Sequence, residues 1–133
     1  MASLTVAEVR RVDQAESTYH SARFQNGETG LVVILRREQA DDDMTVHSTD
    51  YALAFESDSD IPRRHVLGIS SGMTNLEQGV SWSSLGGAVS RMWLSKGDHY
   101  IALLFSVPES VDAYTLQRLA PGGTALTLPK TDE

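Results

Sequence analysis

The 133-residue chain has no cysteine. That excludes disulfides, zinc–thiolate sites and a cysteine nucleophile. Lysine is nearly missing too: Lys96 and Lys130 are the only two, and the formal net charge is −7. Such a balance argues against a nucleic-acid or anionic-membrane surface as partner. No apolar run approaches the roughly 18 residues needed to span a bilayer. Internal repeats, low-complexity tracts and a linker that would divide the chain are absent, so residues 1–133 read as one domain, with 129–133 expected to fray. The first residues, Met1-Ala2-Ser3 leading into Leu4-Thr5-Val6, do not combine a basic stretch with a long apolar one. The expectation is a cytoplasmic protein, or an extracytoplasmic one whose targeting segment has been removed.

What is present is charge in one place. From Glu38 to Asp60 the chain carries eight acids (Glu38, Asp41, Asp42, Asp43, Asp50, Glu56, Asp58, Asp60) and no lysine or arginine. Outside that segment ten acids face eleven bases. Arg36-Arg37 and Arg63-Arg64 bracket the segment. It reads either as a solvated loop and strand face or as an acidic pole that draws a cation or a basic partner.

Hydrophobic periodicity points to strands. Leu4 to Val12 alternates loosely, interrupted at Arg10-Arg11, and Thr18 to Phe24 is a short polar candidate. Leu31-Val32-Val33-Ile34-Leu35 is a continuous, largely β-branched run within Gly30 to Arg37, as expected of a strand buried on both faces. Tyr51, Leu53 and Phe55 share one face of a strand. His65 to Ile69 reads as another, as does Ala88 to Leu94. The clearest is His99 to Val107, with Ile101, Leu103, Phe105 and Val107 on one side and Tyr100, Ala102, Leu104 and Ser106 on the other. Tyr114 to Leu119 and Ala125 to Leu128 close the series. Turn signals separate these segments, among them Asn26-Gly27, Asp41-Asp42-Asp43, Gly86-Gly87, Lys96-Gly97-Asp98 and Pro121-Gly122-Gly123. The only helical hint is the Met73–Leu76 spacing within Ser70 to Gln78. The expected fold is all-β, an antiparallel two-sheet sandwich of about eight strands. The alternative is a small β-barrel.

Four stretches then carry a resemblance: Thr49-Asp50-Tyr51-Ala52-Leu53, Leu94-Ser95-Lys96-Gly97-Asp98, Ala102-Leu103-Leu104-Phe105-Ser106-Val107-Pro108 and Asp112-Ala113-Tyr114-Thr115-Leu116. Together, over roughly residues 30–119, they resemble the immunoglobulin-like (telokin-like) β-sandwich accessory domains of bacterial and archaeal secreted proteins and lipoproteins. Those domains show a D-F-x-L strand, an L-x-P-G-E turn, an L-x-F-x-V-P strand and a closing Y-x-L. This chain departs where Lys96 stands in place of the turn proline, and it shows no lipobox. The resemblance implies a sandwich fold and no catalytic residues.

Several constellations bear on chemistry. Gly68-Ile69-Ser70-Ser71-Gly72 fits G-x-S-x-G, but the alternating strand–helix units of an α/β-hydrolase are missing, so a glycine- and serine-rich loop is the competing reading. Glu56, Asp58 and Asp60 are candidate Ca²⁺ ligands, with Asp41 to Asp43 as potential neighbours. The EF-hand pattern fails, since Pro62 and Arg63 stand where the fifth and sixth loop residues belong. His20, His47, His65 and His99 show no metal-ligand spacing. Trp82, in a glycine-flanked serine-rich stretch, is a lid or a contact residue. With Tyr51 and Tyr100 it forms the candidate binding set; Trp93 and Tyr114 could line the same groove, with core packing the favoured reading for Trp93. No cofactor is implied beyond that Ca²⁺ option. The leading expectation is a non-enzymatic β-sandwich module for protein binding or self-association. The alternative is a small-molecule-binding or enzymatic β-barrel with a pocket lined by Trp, Tyr and His.

Overall fold

The structure, a computed structural model, describes residues 4–12, 15–16, 21–22, 24, 27–37, 43–47, 50–55, 63–70, 84–85, 91–109, 114–118 and 125–127. In chain order the strands are β1 (Leu4–Val12), β2 (Ala15–Glu16), β3 (Ser21–Ala22), β4 (Glu28–Arg37), β5 (Met44–His47), β6 (Tyr51–Phe55) and β7 (Arg63–His65). They continue as β8 (Gly68–Ser70), β9 (Ser84–Leu85), β10 (Arg91–Leu94), β11 (Tyr100–Pro108), β12 (Tyr114–Arg118) and β13 (Ala125–Thr127). One sheet has the order β1-β4-β11-β8-β9 and the other β13-β12-β6-β7. Two short ladders, β10-β5 and β2-β3, complete the pairing among the described residues, where every pair is antiparallel. The sheets do not close on each other, so the architecture is the two-sheet sandwich and not the barrel.

The core lies between the sheets and obeys the period of two. Leu31, Val33 and Leu35 of β4 and Ile101, Leu103, Phe105 and Val107 of β11 meet Tyr51 and Leu53 of β6 and Tyr114 and Leu116 of β12. Val46 of β5 and Ile69 of β8 join them. The intervening residues Val32, Ile34, Ala102 and Leu104 form a second buried cluster on the opposite face of the five-stranded sheet, with Phe24, Leu67 and Tyr100 against it. This is why Leu31 to Leu35 carries no polar alternation: β4 is covered on both sides. Each such buried aliphatic side chain stabilises by roughly 1.5–3 kcal/mol before entropy is counted.

Several boundaries differ from the sequence reading. His65 to Ile69 is not one strand: β7 ends at His65 in one sheet, and β8 begins at Gly68 in the other. Val66 and Leu67 carry the chain across, with Val66 buried and the Leu67 N–H donating to Leu104 O at 2.7 Å. A five-residue apolar stretch looks the same whether it runs within a sheet or between two. β5 has no counterpart in the periodicity, since four residues, of whose described side chains only Val46 is buried, leave too little pattern beside the acids. Of the Thr18 to Phe24 candidate the structure describes β3 and Phe24, and of the Ala88 to Leu94 candidate β10; residues 18–20, 23 and 88–90 lie outside the described residues. Ser70 ends β8, and the rest of the helical hint, 71–78, lies outside the described residues. β1 runs straight through Arg10-Arg11. A bulge between Val6 and Glu8 resets its faces, so Arg11 pairs with Leu31 and Arg10 with Val32.

Candidate functional site

β4 runs the length of the sandwich, ten residues from Glu28 to Arg37, or about 30 Å at roughly 3.3–3.4 Å per residue. Its two termini mark two polar ends of the molecule.

At the Glu28 end, charged side chains link the sheets. The Glu28 carboxylate on β4 accepts two hydrogen bonds from Arg64 of β7, Nη1 to Oε1 at 2.7 Å and Nη2 to Oε2 at 3.2 Å. The same Oε1 accepts the Ser106 hydroxyl of β11 at 2.8 Å. The Glu28 side chain is 15 % exposed and that of Arg64 33 %. A two-pronged guanidinium–carboxylate pair of this kind fixes orientation as well as charge. Beside it, Arg11 of β1 donates to Tyr114 Oη of β12 at 2.9 Å and to Glu109 O at 3.2 Å. The turn is tied further by Glu109 N–H to Gly27 O at 2.8 Å and by Thr29 Oγ1 to Val12 O at 3.2 Å.

At the Arg37 end, the partners are backbone carbonyls. Arg37 is 1 % exposed, and its Nη2 donates to Ser95 O at 2.9 Å and Asp98 O at 3.0 Å. The Arg37 N–H donates to His99 O at 2.7 Å. His99 Nδ1, 2.8 Å from Arg37 O, must carry the proton because a carbonyl only accepts. Ser95 to Asp98 forms a tight turn closed by Asp98 N–H to Ser95 O at 2.8 Å. Gly97 at its third position has φ 93°, and no other residue of the turn has positive φ, as a type II turn requires. Asp43 Oδ1 accepts the Lys96 N–H at 2.8 Å.

The sequence-derived candidates fall as follows. Tyr51 is buried in the inter-sheet core. Tyr100 packs half-buried on the opposite face of the five-stranded sheet, against Val32, Ile34, Ala102 and Leu104. The two tyrosines therefore do not meet in one groove. Trp82, Glu56, Asp58, Asp60, Asp41, Asp42 and His20 lie outside the described residues. The strands that lead to the acidic stretches can still be placed. Arg37 and Asp43, which flank residues 38–42, both stand at the Arg37 end. Phe55, paired with Tyr114, and Arg63, paired with Ala54, flank residues 56–62 and stand at the Glu28 end. Among the described residues no group of three or more His, Asp or Glu side chains could hold a metal ion. Ser70 sits fully buried in an antiparallel strand opposite Ala102, unlike the exposed serine of a strand-to-helix elbow. No described helix is long and apolar enough to cross a membrane.

Sequence reasoning did not single out Arg11, Glu28 or Arg37. A charged residue at a core-facing position of a strand is the signal that would have found them. The bulge in β1 hides that parity for Arg11. Comparison with family models, curated proteins and solved structures found no match.

Proposed function

We propose that the chain is a non-enzymatic β-sandwich module that binds another protein or assembles with copies of itself, of the immunoglobulin-like accessory kind that its sequence resembles. The observation that carries this reading is the direction in which the strongest polar groups work. Arg11, Glu28, Arg37 and Arg64 hydrogen-bond to backbone carbonyls or to one another across the sheets. Groups committed this way rigidify a scaffold. Recognition then falls to the loops that the scaffold presents. The acidic segment supplies the chemistry of the partner: eight carboxylates without a base favour a basic surface and speed its approach at low salt. The small-molecule alternative has less support. Its barrel is not formed, and Tyr51 and Tyr100 face opposite sides of a sheet.

The test has two arms. Light scattering across a concentration series separates self-assembly from a monomer that awaits a partner. Titration with basic proteins and basic peptides is expected to show saturable binding that weakens with added salt and with Asp41→Asn, Asp42→Asn and Asp43→Asn combined. A chain that stays monomeric and binds none of them contradicts the reading. So does purified protein that turns over a small-molecule substrate and loses that turnover on a single side-chain substitution.

A further inference from the structure

β1 stands at the edge of the five-stranded sheet, and among the described residues it pairs with β4 alone. Its nine residues contain neither proline nor lysine, so the edge is a long template for another strand. Around Val9 that template complements itself. When two copies of β1 lie antiparallel with Val9 facing Val9, each Glu8 faces the Arg10 of the other copy. Opposite charges at directly facing positions favour such a pairing. Within one chain Glu8 and Arg10 already form an ion pair on this strand, at 2.5 Å.

One residue stands in the way. Val6 pairs with Leu35 and Glu8 with Ile34, so Ala7 is the extra residue of the bulge. Before it, the residues opposite Arg37 and Leu35 are Leu4 and Val6; after it, those opposite Val33 and Leu31 are Val9 and Arg11. The ladder side therefore passes from even to odd positions at Ala7. Backbone N–H and C=O groups alternate with the same period, so the groups that point away from β4 change parity there too. A straight incoming strand in step with Glu8 to Val12 is one residue out of step with Leu4 to Val6. The bulge also sharpens the local twist. We propose that the outer edge of β1 is a latent pairing surface for a second copy of this chain, held shut by the extra residue Ala7. The inference does not depend on what the loops bind. It closes one route to self-assembly, sheet extension through β1, and leaves other contacts between copies open.

Deleting Ala7 tests this, because every other residue of β1 keeps its partner on β4. The variant should fold with the far-ultraviolet circular dichroism of the wild-type chain. Light scattering across a concentration series should show it dimerising with a dissociation constant roughly tenfold or more below any that the wild-type chain shows. The chain has no cysteine, so Val9→Cys is a lone reporter of the pairing. In the paired state the two Cα atoms at position 9 lie about 4.5–5.5 Å apart, within the span of a disulfide. Mild oxidation should link copies that carry Val9→Cys and lack Ala7, and should not link copies that keep it. Thr5→Cys in the deletion background should stay unlinked, about 20 Å from its counterpart at roughly 3.4 Å per residue. A deletion variant that folds and assembles no more than the wild-type chain overturns the proposal. So does one that fails to fold, since the unbroken register requires it to. Cross-linking through Val9→Cys that is as fast with Ala7 in place overturns it as well.

Discussion

The two ends of the sandwich are closed by different means. At the Glu28 end, closure depends on charged side chains meeting other side chains: Arg64 with Glu28, supported by Ser106, and Arg11 with the neutral Tyr114 hydroxyl. At the Arg37 end, one buried guanidinium meets neutral carbonyls of a tight turn. The first arrangement joins strands of opposite sheets that are far apart in sequence, and it is open to water at Arg64, 33 % exposed. The second fixes a local turn against the end of β4 and is shut from solvent. Salt screens exposed charges but hardly touches buried hydrogen bonds to carbonyls. The ends should therefore respond differently to salt and to substitution.

The largest effect belongs to the buried end. Arg37→Ala should lower stability by about 3 kcal/mol, since it strips charged donors from Ser95 O and Asp98 O and empties the space of a long side chain. Arg37→Met restores most of the volume without the donors and should recover roughly half of the loss. Urea melts of both variants at low and high salt should show the same decrements at each salt. A loss below about 1 kcal/mol for Arg37→Ala would mean that the guanidinium is not what holds the turn.

Glu28→Gln should cost less, about 1–2 kcal/mol, because the pair is partly solvated and the amide can still bond to Ser106. Paired with Arg64→Gln in a double-mutant cycle, it should give a coupling of about 0.5–1.5 kcal/mol that shrinks as salt rises. A coupling indifferent to salt would erase the distinction between the ends.

How much of this is legible in the sequence depends on the length of the signal. β11 has nine residues, and the faces that a period of two assigns to Phe105 and Leu104 are the faces observed. β6 and β12 are readable for the same reason, and the unbroken Leu31 to Leu35 run correctly signals burial on both sides. The crossing at Val66-Leu67 is not readable, because apolar residues serve equally well in a strand and in a passage between sheets. The end networks are invisible for a different reason. Arginine reaches far from its own backbone, so its partner is set by how the sheets stack and not by spacing along the chain. Arg11 and Tyr114 stand 103 residues apart and no periodicity relates them. The turn at Ser95 to Asp98 is half legible: Gly97 marks it, but the use of the Lys96 N–H does not show.

That N–H makes the next prediction, which has a smaller net effect. Lys96 occupies the second position of a type II turn, where proline is favoured and would stabilise by about 0.4–1 kcal/mol through the unfolded state. Here the Lys96 N–H donates to Asp43 Oδ1, and proline has no N–H. Lys96→Pro alone should therefore come out close to neutral. In an Asp43→Ala background, where the bond is already gone, the same substitution should show its gain of about 0.4–1 kcal/mol. Equal effects in both backgrounds would show that the Asp43 contact contributes nothing.

The smallest expected effect, zero, concerns Ca²⁺. A site drawing on both acidic stretches needs roughly six to eight oxygens on one ion, and so needs Asp41 to Asp43 close to Glu56, Asp58 and Asp60. The strands that lead into these stretches start from opposite ends of the sandwich, at Arg37 and at Phe55. Screening should still help, because eight like charges within one segment repel one another. Sodium and calcium chloride at matched ionic strength should accordingly raise the melting temperature alike. A bound ion would instead add a saturable increment set by mass action, on top of the common salt response. That increment should be absent in the wild-type chain, and Asp58→Asn with Asp60→Asn should leave the calcium response unchanged. Calorimetry that finds one saturating Ca²⁺ site, lost in that double variant, would show that the loops bring together what the strands hold apart.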